Sequence, residues 1–279
     1  MNISQVHSFE QKGDKISVYF FLFVLSILLS ITACLFISPE MYHFLSKEDN
    51  LVESFGAISM ALTSLFLFLS FRNSTNENTL KSAMLIACAL VFLVGAGEEI
   101  SWGQRIFGWD TPDALGEVNQ QNETNFHNMN SGFFNILVYR SNVLFVLVAT
   151  VFVFLKQHEV LDVAMPKIST ICIFAIPPFY QSGQEFSFHF SHLQYLALFP
   201  LIYYLLKKER GVETVIPIVT VVAVVSIEAI HVKFSYLFSF PDNTAAEYRE
   251  FLFALACLFY AYYIFYMEKK RRSVNVTPK

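Results

Sequence analysis

Apolar runs of about 20 residues recur along this chain, and no other feature constrains its fold as strongly. A run of that length spans the hydrocarbon of a bilayer as a helix. Only a helix or a closed barrel satisfies its backbone polar groups there. Apolar runs are placed at 16–37, 51–72, 80–98, 133–156, 168–182, 190–207, 214–233 and 248–268. The expected fold is therefore all-α, a polytopic transmembrane helix bundle of about eight spans. Composition agrees: 54% of the residues are hydrophobic and 15% charged, less charge than a soluble domain carries.

The expected organisation is a cytoplasmic N-terminal segment at 1–15, one transmembrane domain at 16–268 and a basic cytoplasmic tail at 269–279. A polar outer loop is expected at 99–131. The first run lacks a small-residue cleavage site, so it reads as a retained span. Pro177 and Pro178 should stop or kink the fifth span. An even number of spans puts both termini on one side. Lysines and arginines choose that side as cytoplasmic, with Arg72, Lys81, Lys156, Lys167, Lys207, Lys208 and Lys269 to Arg272 on the inner segments. The acids divide the other way, so any chemistry is expected at the outer ends. Cys34, Cys88, Cys172 and Cys257 all fall inside apolar runs without a CxxC, and read as buried free thiols.

Residues 97–128, GEEISWGQRIFGWDTPDALGEVNQQNETNFHN, are the densest in reactive groups and hold both tryptophans. If the third helix continues past Glu98, then Glu98, Trp102 and Arg105 share one face. A glutamate pair at a membrane boundary must be solvated, paired or metal-bound. Tryptophans also mark membrane interfaces, which is the plain reading of Trp102 and Trp109. The amides of NQQNETNFHN, Asn125 among them, suit the recognition of sugar or headgroup hydroxyls. The alternative is a solvated loop using them for caps and turns. His127 is a candidate ligand or base.

Two further groups stand at outer ends. In QSGQEFSFHFSH, Glu185, His189 and His192 share a helical face and suit a divalent metal such as zinc. In SIEAIHVKF, Glu228 and His231 form a Glu-x-x-His pair of the kind that serves carboxylate metal bundles. Arg140 is a candidate intramembrane cation for Glu53, Glu228 or an anionic substrate group. Asp49 and Glu53 open the second span, where acids favour the helix dipole.

The stretch GEEISWGQRIFGW with ETNFHN resembles a signature of uncharacterised bacterial multi-pass membrane proteins, over residues 96–128. That resemblance implies a bacterial inner membrane and no particular reaction. Glu98 and Glu99, Phe188 to His192, and the His231 HxxxS also resemble the EExxxR, FxxxH and HxxxN motifs of CAAX-protease-like intramembrane proteases. Gly103 stands where that family has arginine, and Arg105 lies two residues further on. The resemblance implies that Glu99 activates water while His192 and His231 orient it or stabilise an oxyanion.

The expected function is a membrane-embedded hydrolase or transferase acting on a lipid or lipid-linked substrate. Glu98, Glu99, His192 and His231 would carry the chemistry. Trp102, Arg105, Asn125, His127 and Arg140 would bind substrate. Glu185, His189, His192, Glu228 and His231 would hold any metal. Membrane lipids are the expected partners, and no nucleic-acid module is present in the sequence. The alternative is a transporter, channel or assembly partner, in which the same acids and histidines form an ion path.

Overall fold

The computed structural model describes residues 3–47, 50–74, 78–119, 123–126, 129, 131–154, 164–180, 193–206, 212–233 and 244–276. These residues form helices and no strands. The helices are α1 (Ile3–Ile37), α2 (Pro39–Leu45), α3 (Leu51–Asn73), α4 (Thr79–Glu99), α5 (Gln104–Phe107), α6 (Asp113–Gly116) and α7 (Ser131–Phe154). They continue with α8 (Ile168–Ala175), α9 (Leu193–Leu196), α10 (Phe199–Leu206), α11 (Val212–Glu228) and α12 (Thr244–Val276). Among the described residues five segments are long and apolar enough to cross a membrane: Lys15–Ile37, Leu51–Asn73, Thr79–Glu99, Thr214–His231 and Thr244–Ser273. The other three expected spans correspond to shorter apolar helical stretches at Ile136–Val151, Ile168–Phe179 and Gln194–Tyr203.

The fifth expected span is shorter than 168–182 for the reason its prolines give. The helix ends at Ala175, a single 3-10 turn covers Pro177–Phe179, and Tyr180 is extended. This short element is the hub of the bundle. Every residue from Ile168 to Tyr180 is buried. A helix apolar on all sides needs neighbours on all sides, and α8 has α1, α7, α11 and α12 around it.

Helices α3, α4 and α12 form a second, tighter group. Small residues let their backbones approach. A β-carbon on Gly56 would stand 3.9 Å from the α-carbon of Phe251, and one on Gly95 would stand 3.1 Å from the Met60 sulfur. The Ser64 hydroxyl donates to the Ala89 carbonyl across the α3–α4 contact at 2.7 Å. Local signals set the ends: Asn78 caps α4 by accepting from the Lys81 N–H, and Ser38 caps α2 ahead of Pro39.

Contacts sort the helix ends into two poles. Phe20 of α1 stacks on Phe259 of α12 at 4.3 Å, while Tyr42, beyond the other end of α1, stacks on Tyr248 at the start of α12. Helices α1 and α12 therefore run antiparallel. At the first pole Lys81 pairs with Glu268 at 2.9 Å, both side chains buried, and Arg272 donates to the Arg72 carbonyl. At the second pole Tyr42, Glu53, Glu99, His231 and Glu250 come together, as described next.

Candidate functional site

The third helix does not continue through Arg105 as the face-sharing expectation required. It ends at Glu99, and Ser101 (φ 47°), Trp102 (φ 54°) and Gly103 (φ 83°) turn left-handed. Left-handed residues with a side chain cost about 1–2 kcal/mol each, so something must hold the turn. Glu98 does part of this. One carboxylate oxygen accepts the Trp102 indole N–H at 2.7 Å, and the other accepts the Phe126 main-chain N–H at 2.6 Å. Trp102 thus returns to Glu98, by a reversed chain and not by helical spacing.

The amide-rich loop closes the turn from the other side. Ser101 donates to Glu123 at 2.7 Å, and Asn125 donates to both Ser101 and Glu123. Asn119 donates to the Asn125 carbonyl and side-chain oxygens. Gln104 donates to Thr111 and accepts from the Thr124 N–H. Ser101, Asn119, Glu123 and Asn125 are buried. The Asn125 amide is therefore engaged within the loop, as the caps-and-turns alternative describes. The Arg105 side chain, His127 and Asn128 lie outside the described residues.

Glu99 is placed differently from Glu98. It is partly buried at the end of α4, and its charged neighbours are Glu250 on α12, Glu53 on α3 and Glu98. Sequence reading placed Glu53 in the first turn of the second span and as a partner for Arg140, and Glu250 only among the outer acids. Their convergence with Glu99 follows from the packing of α3, α4 and α12.

Beside this cluster lies a buried hydrogen-bonded relay. Helix α11 relaxes into a π-turn at Ala229–Lys233, which carries His231. His231 Nδ1 stands 2.9 Å from the Ile227 carbonyl, which can only accept, so Nδ1 carries the hydrogen. In the neutral ring Nε2 then accepts from the Tyr42 hydroxyl at 2.8 Å. The Tyr248 hydroxyl donates to the Tyr42 carbonyl at 2.8 Å, and Arg249 donates to the Tyr180 carbonyl at 3.0 Å. Burial, with Tyr180 and Tyr248 alongside, holds the Tyr42 phenol well above its ordinary range, so it stays a hydroxyl donor. Sequence reading missed Tyr42, Tyr180, Tyr248 and Arg249. Their one visible signal was the YRE triplet at the start of the last span.

Of the five expected metal ligands, Glu185, His189 and His192 lie outside the described residues. Glu228 accepts from the Tyr195 hydroxyl, and both His231 nitrogens are engaged as above. Among the described residues no group of three or more His, Cys, Asp or Glu side chains is arranged to hold a metal ion. Arg140 is exposed on α7 and makes no ion pair among the described residues.

Below the carboxylates an apolar cavity of about 530 Å³ lies between the two helix groups. Thr63, Cys88, Phe145, Phe174, Phe253 and Tyr260 are among its walls. Its rim, Met84 on α4 with Leu144 and Val148 on α7, is exposed, so it opens sideways between these helices. Phe92, the uppermost lining residue of α4, is seven residues before Glu99, about 10 Å along the axis. Phe253 is three residues beyond Glu250, about 4.5 Å.

Fold and site together define, among the described residues, an all-helical protein with five helices fit to cross a membrane and a carboxylate-rich pole over an apolar side cavity. No protein-family profile, curated protein or solved structure matches the chain. The two resemblances rest on the quoted motif residues alone.

Proposed function

We propose that this is a multi-pass membrane enzyme, a hydrolase or transferase, whose lipid or lipid-linked substrate lays its chain in the cavity between α4 and α7. Its polar head then meets the carboxyl groups of Glu53, Glu99 and Glu250. The observation that carries this reading is the pairing of two features: titratable groups at one pole, and an apolar cavity whose nearest α4 wall, Phe92, is about 10 Å from Glu99 along the helix and whose side opening at Met84 is about 22 Å from it. Ligand cavities of roughly 300–1,000 Å³ with few polar groups at one end are the usual form of a small-molecule site. In this reading Glu99 takes the proton from the attacking water or hydroxyl, and His192 returns one to the leaving group. His231 acts as a positioning residue through Tyr42.

Eight crossings, with both termini cytoplasmic in a bacterial inner membrane, are part of the proposal. Lysine and arginine at the Lys81–Glu268 pole, opposite the carboxylates, support that orientation. A transport path needs polar groups between the poles. The cavity walls between them are almost wholly apolar, which favours the enzyme.

The test is turnover by the full chain in vesicles of mixed phospholipids and lipid-linked sugars, with products read by mass spectrometry. Glu99→Gln should lose roughly 10²–10⁴-fold in rate while remaining folded. Ala261→Phe, which fills the cavity, should raise KM. Unchanged turnover in folded Glu99→Gln would sink the assignment.

A further inference from the structure

The loop that follows α4 is built inside out. A loop in water turns polar groups outward and hides apolar ones. Here Ser101 and Asn125 are 1% exposed, while Ile106 and Phe107 are 70% and 72% exposed. Trp102, Trp109, Val118 and Phe126 are exposed as well. Phe107 and Trp109 stack at 5.2 Å, with their rings nearly parallel. This outward apolar surface is not a slack segment. The left-handed turn at Ser101–Gly103 aims it, and the buried Glu123–Ser101–Asn125–Asn119 network fixes it.

The surface is continuous with the outer face of a helix fit to cross the membrane. Leu90, Val91, Leu93, Val94 and Ile100 are all exposed on α4 and at its end, directly before the loop. Asp110, Asp113 and Glu117 are exposed as well, so the loop presents acids together with its apolar groups. An amphipathic element carrying tryptophan and phenylalanine at the end of a span matches the chemistry of the bilayer interface.

We propose that residues 100–119 and 123–126 form a rigid foot seated in the headgroup layer of the bilayer beside α4. Its partner is the lipid surface itself. Ile106, Phe107 and Trp109 enter the acyl boundary, and Asp110, Asp113 and Glu117 face water. This inference rests on α4 crossing a membrane and is independent of the carboxylate chemistry.

The chain supplies its own reporters, because Trp102 and Trp109 are its two tryptophans. Trp102→Phe leaves Trp109 as the single emitter. The full-length variant is reconstituted in phosphatidylcholine vesicles brominated either near the headgroups or near the bilayer centre. Iodide is present on both sides of the membrane in a parallel sample. Trp109 should lose more emission to the shallow bromines than to the deep ones, and should be shielded from iodide. Adding Ile106→Ser and Phe107→Ser should reverse that order. Iodide quenching like that of free tryptophan would place the loop in water and overturn the proposal. Resistance to both quenchers would place it under protein and overturn it equally. Release of the protein from the vesicles by alkaline carbonate would instead remove the membrane-crossing reading on which it rests.

Discussion

Glu98 grips Trp102 through a 2.7 Å hydrogen bond from the indole N–H, and the same indole ring lies over Gly97. A β-carbon on Gly97 would stand 2.8 Å from that ring. Gly97→Ala should therefore displace Trp102 and cost about 1–3 kcal/mol. A shift in tryptophan emission with a lower unfolding midpoint would bear this out. An unchanged emission spectrum would show that the ring does not occupy this place.

Glu98→Gln keeps the size of the side chain and removes the charge that holds both the indole and the Phe126 N–H. Hydrogen bonds to a charged group are worth about 1.5–3 kcal/mol. The loop should open more readily, and limited proteolysis should cut between 100 and 126 faster than in the parent protein. Glu99→Gln should leave that cutting rate unchanged, because no hydrogen bond from Glu99 holds the loop among the described residues.

Lys81 and Glu268 form a buried pair, with Arg271 at 3.2 Å from the same carboxylate. Glu268→Gln removes the buried carboxylate that Lys81 and Arg271 share and should cost about 3–5 kcal/mol. Lys81→Met should cost less, since Arg271 still attends Glu268. Unfolding midpoints of the two variants in detergent decide this. Equal shifts would contradict the asymmetry.

Tyr42→Phe removes the buried hydrogen bond to His231 Nε2 and should cost about 1–3 kcal/mol. Tyr248→Phe removes a single bond to a carbonyl and should cost about 1 kcal/mol. Denaturation of the two variants should rank them in that order.

His43 accepts from or donates to Thr244 at 3.2 Å, and burial, followed by Lys47 nearby, lowers its pKa from the ordinary 6.5. The unfolded chain then takes up its proton first as pH falls. The stability this histidine contributes is complete above about pH 6.5 and is lost as pH falls through the folded value. His43→Gln should flatten that part of the stability profile. An unaltered profile would assign the slope to other groups.

Much of the scaffold was legible in the residues. Five expected spans coincide with helices long and apolar enough to cross a membrane, the other three only with shorter apolar helical stretches, and α8 stops ahead of Pro177 and Pro178. The candidate site was legible only as a list of types. Glu98 and Glu99 are neighbours in sequence, yet one fastens a loop and the other faces Glu53 and Glu250. Helical spacing past Glu98 gave the wrong path because it assumed right-handed backbone at Ser101 and Trp102. A short polar segment can adopt left-handed backbone only when distant partners such as Glu123 and Asn125 outweigh its cost.

The sequence by itself determined the helical, membrane-compatible character of the chain, because hydrophobic length and the need to satisfy backbone groups are properties of each segment alone. It also determined that acids gather toward one end of the helices and basic residues toward the other. Tertiary structure decided which carboxyls meet, that α8 is the buried hub, that Lys81 is paired with Glu268, and that the amides of the loop turn inward. Those outcomes depend on contacts between residues far apart in the chain. No local pattern encodes them, since each partner is chosen by how whole helices pack.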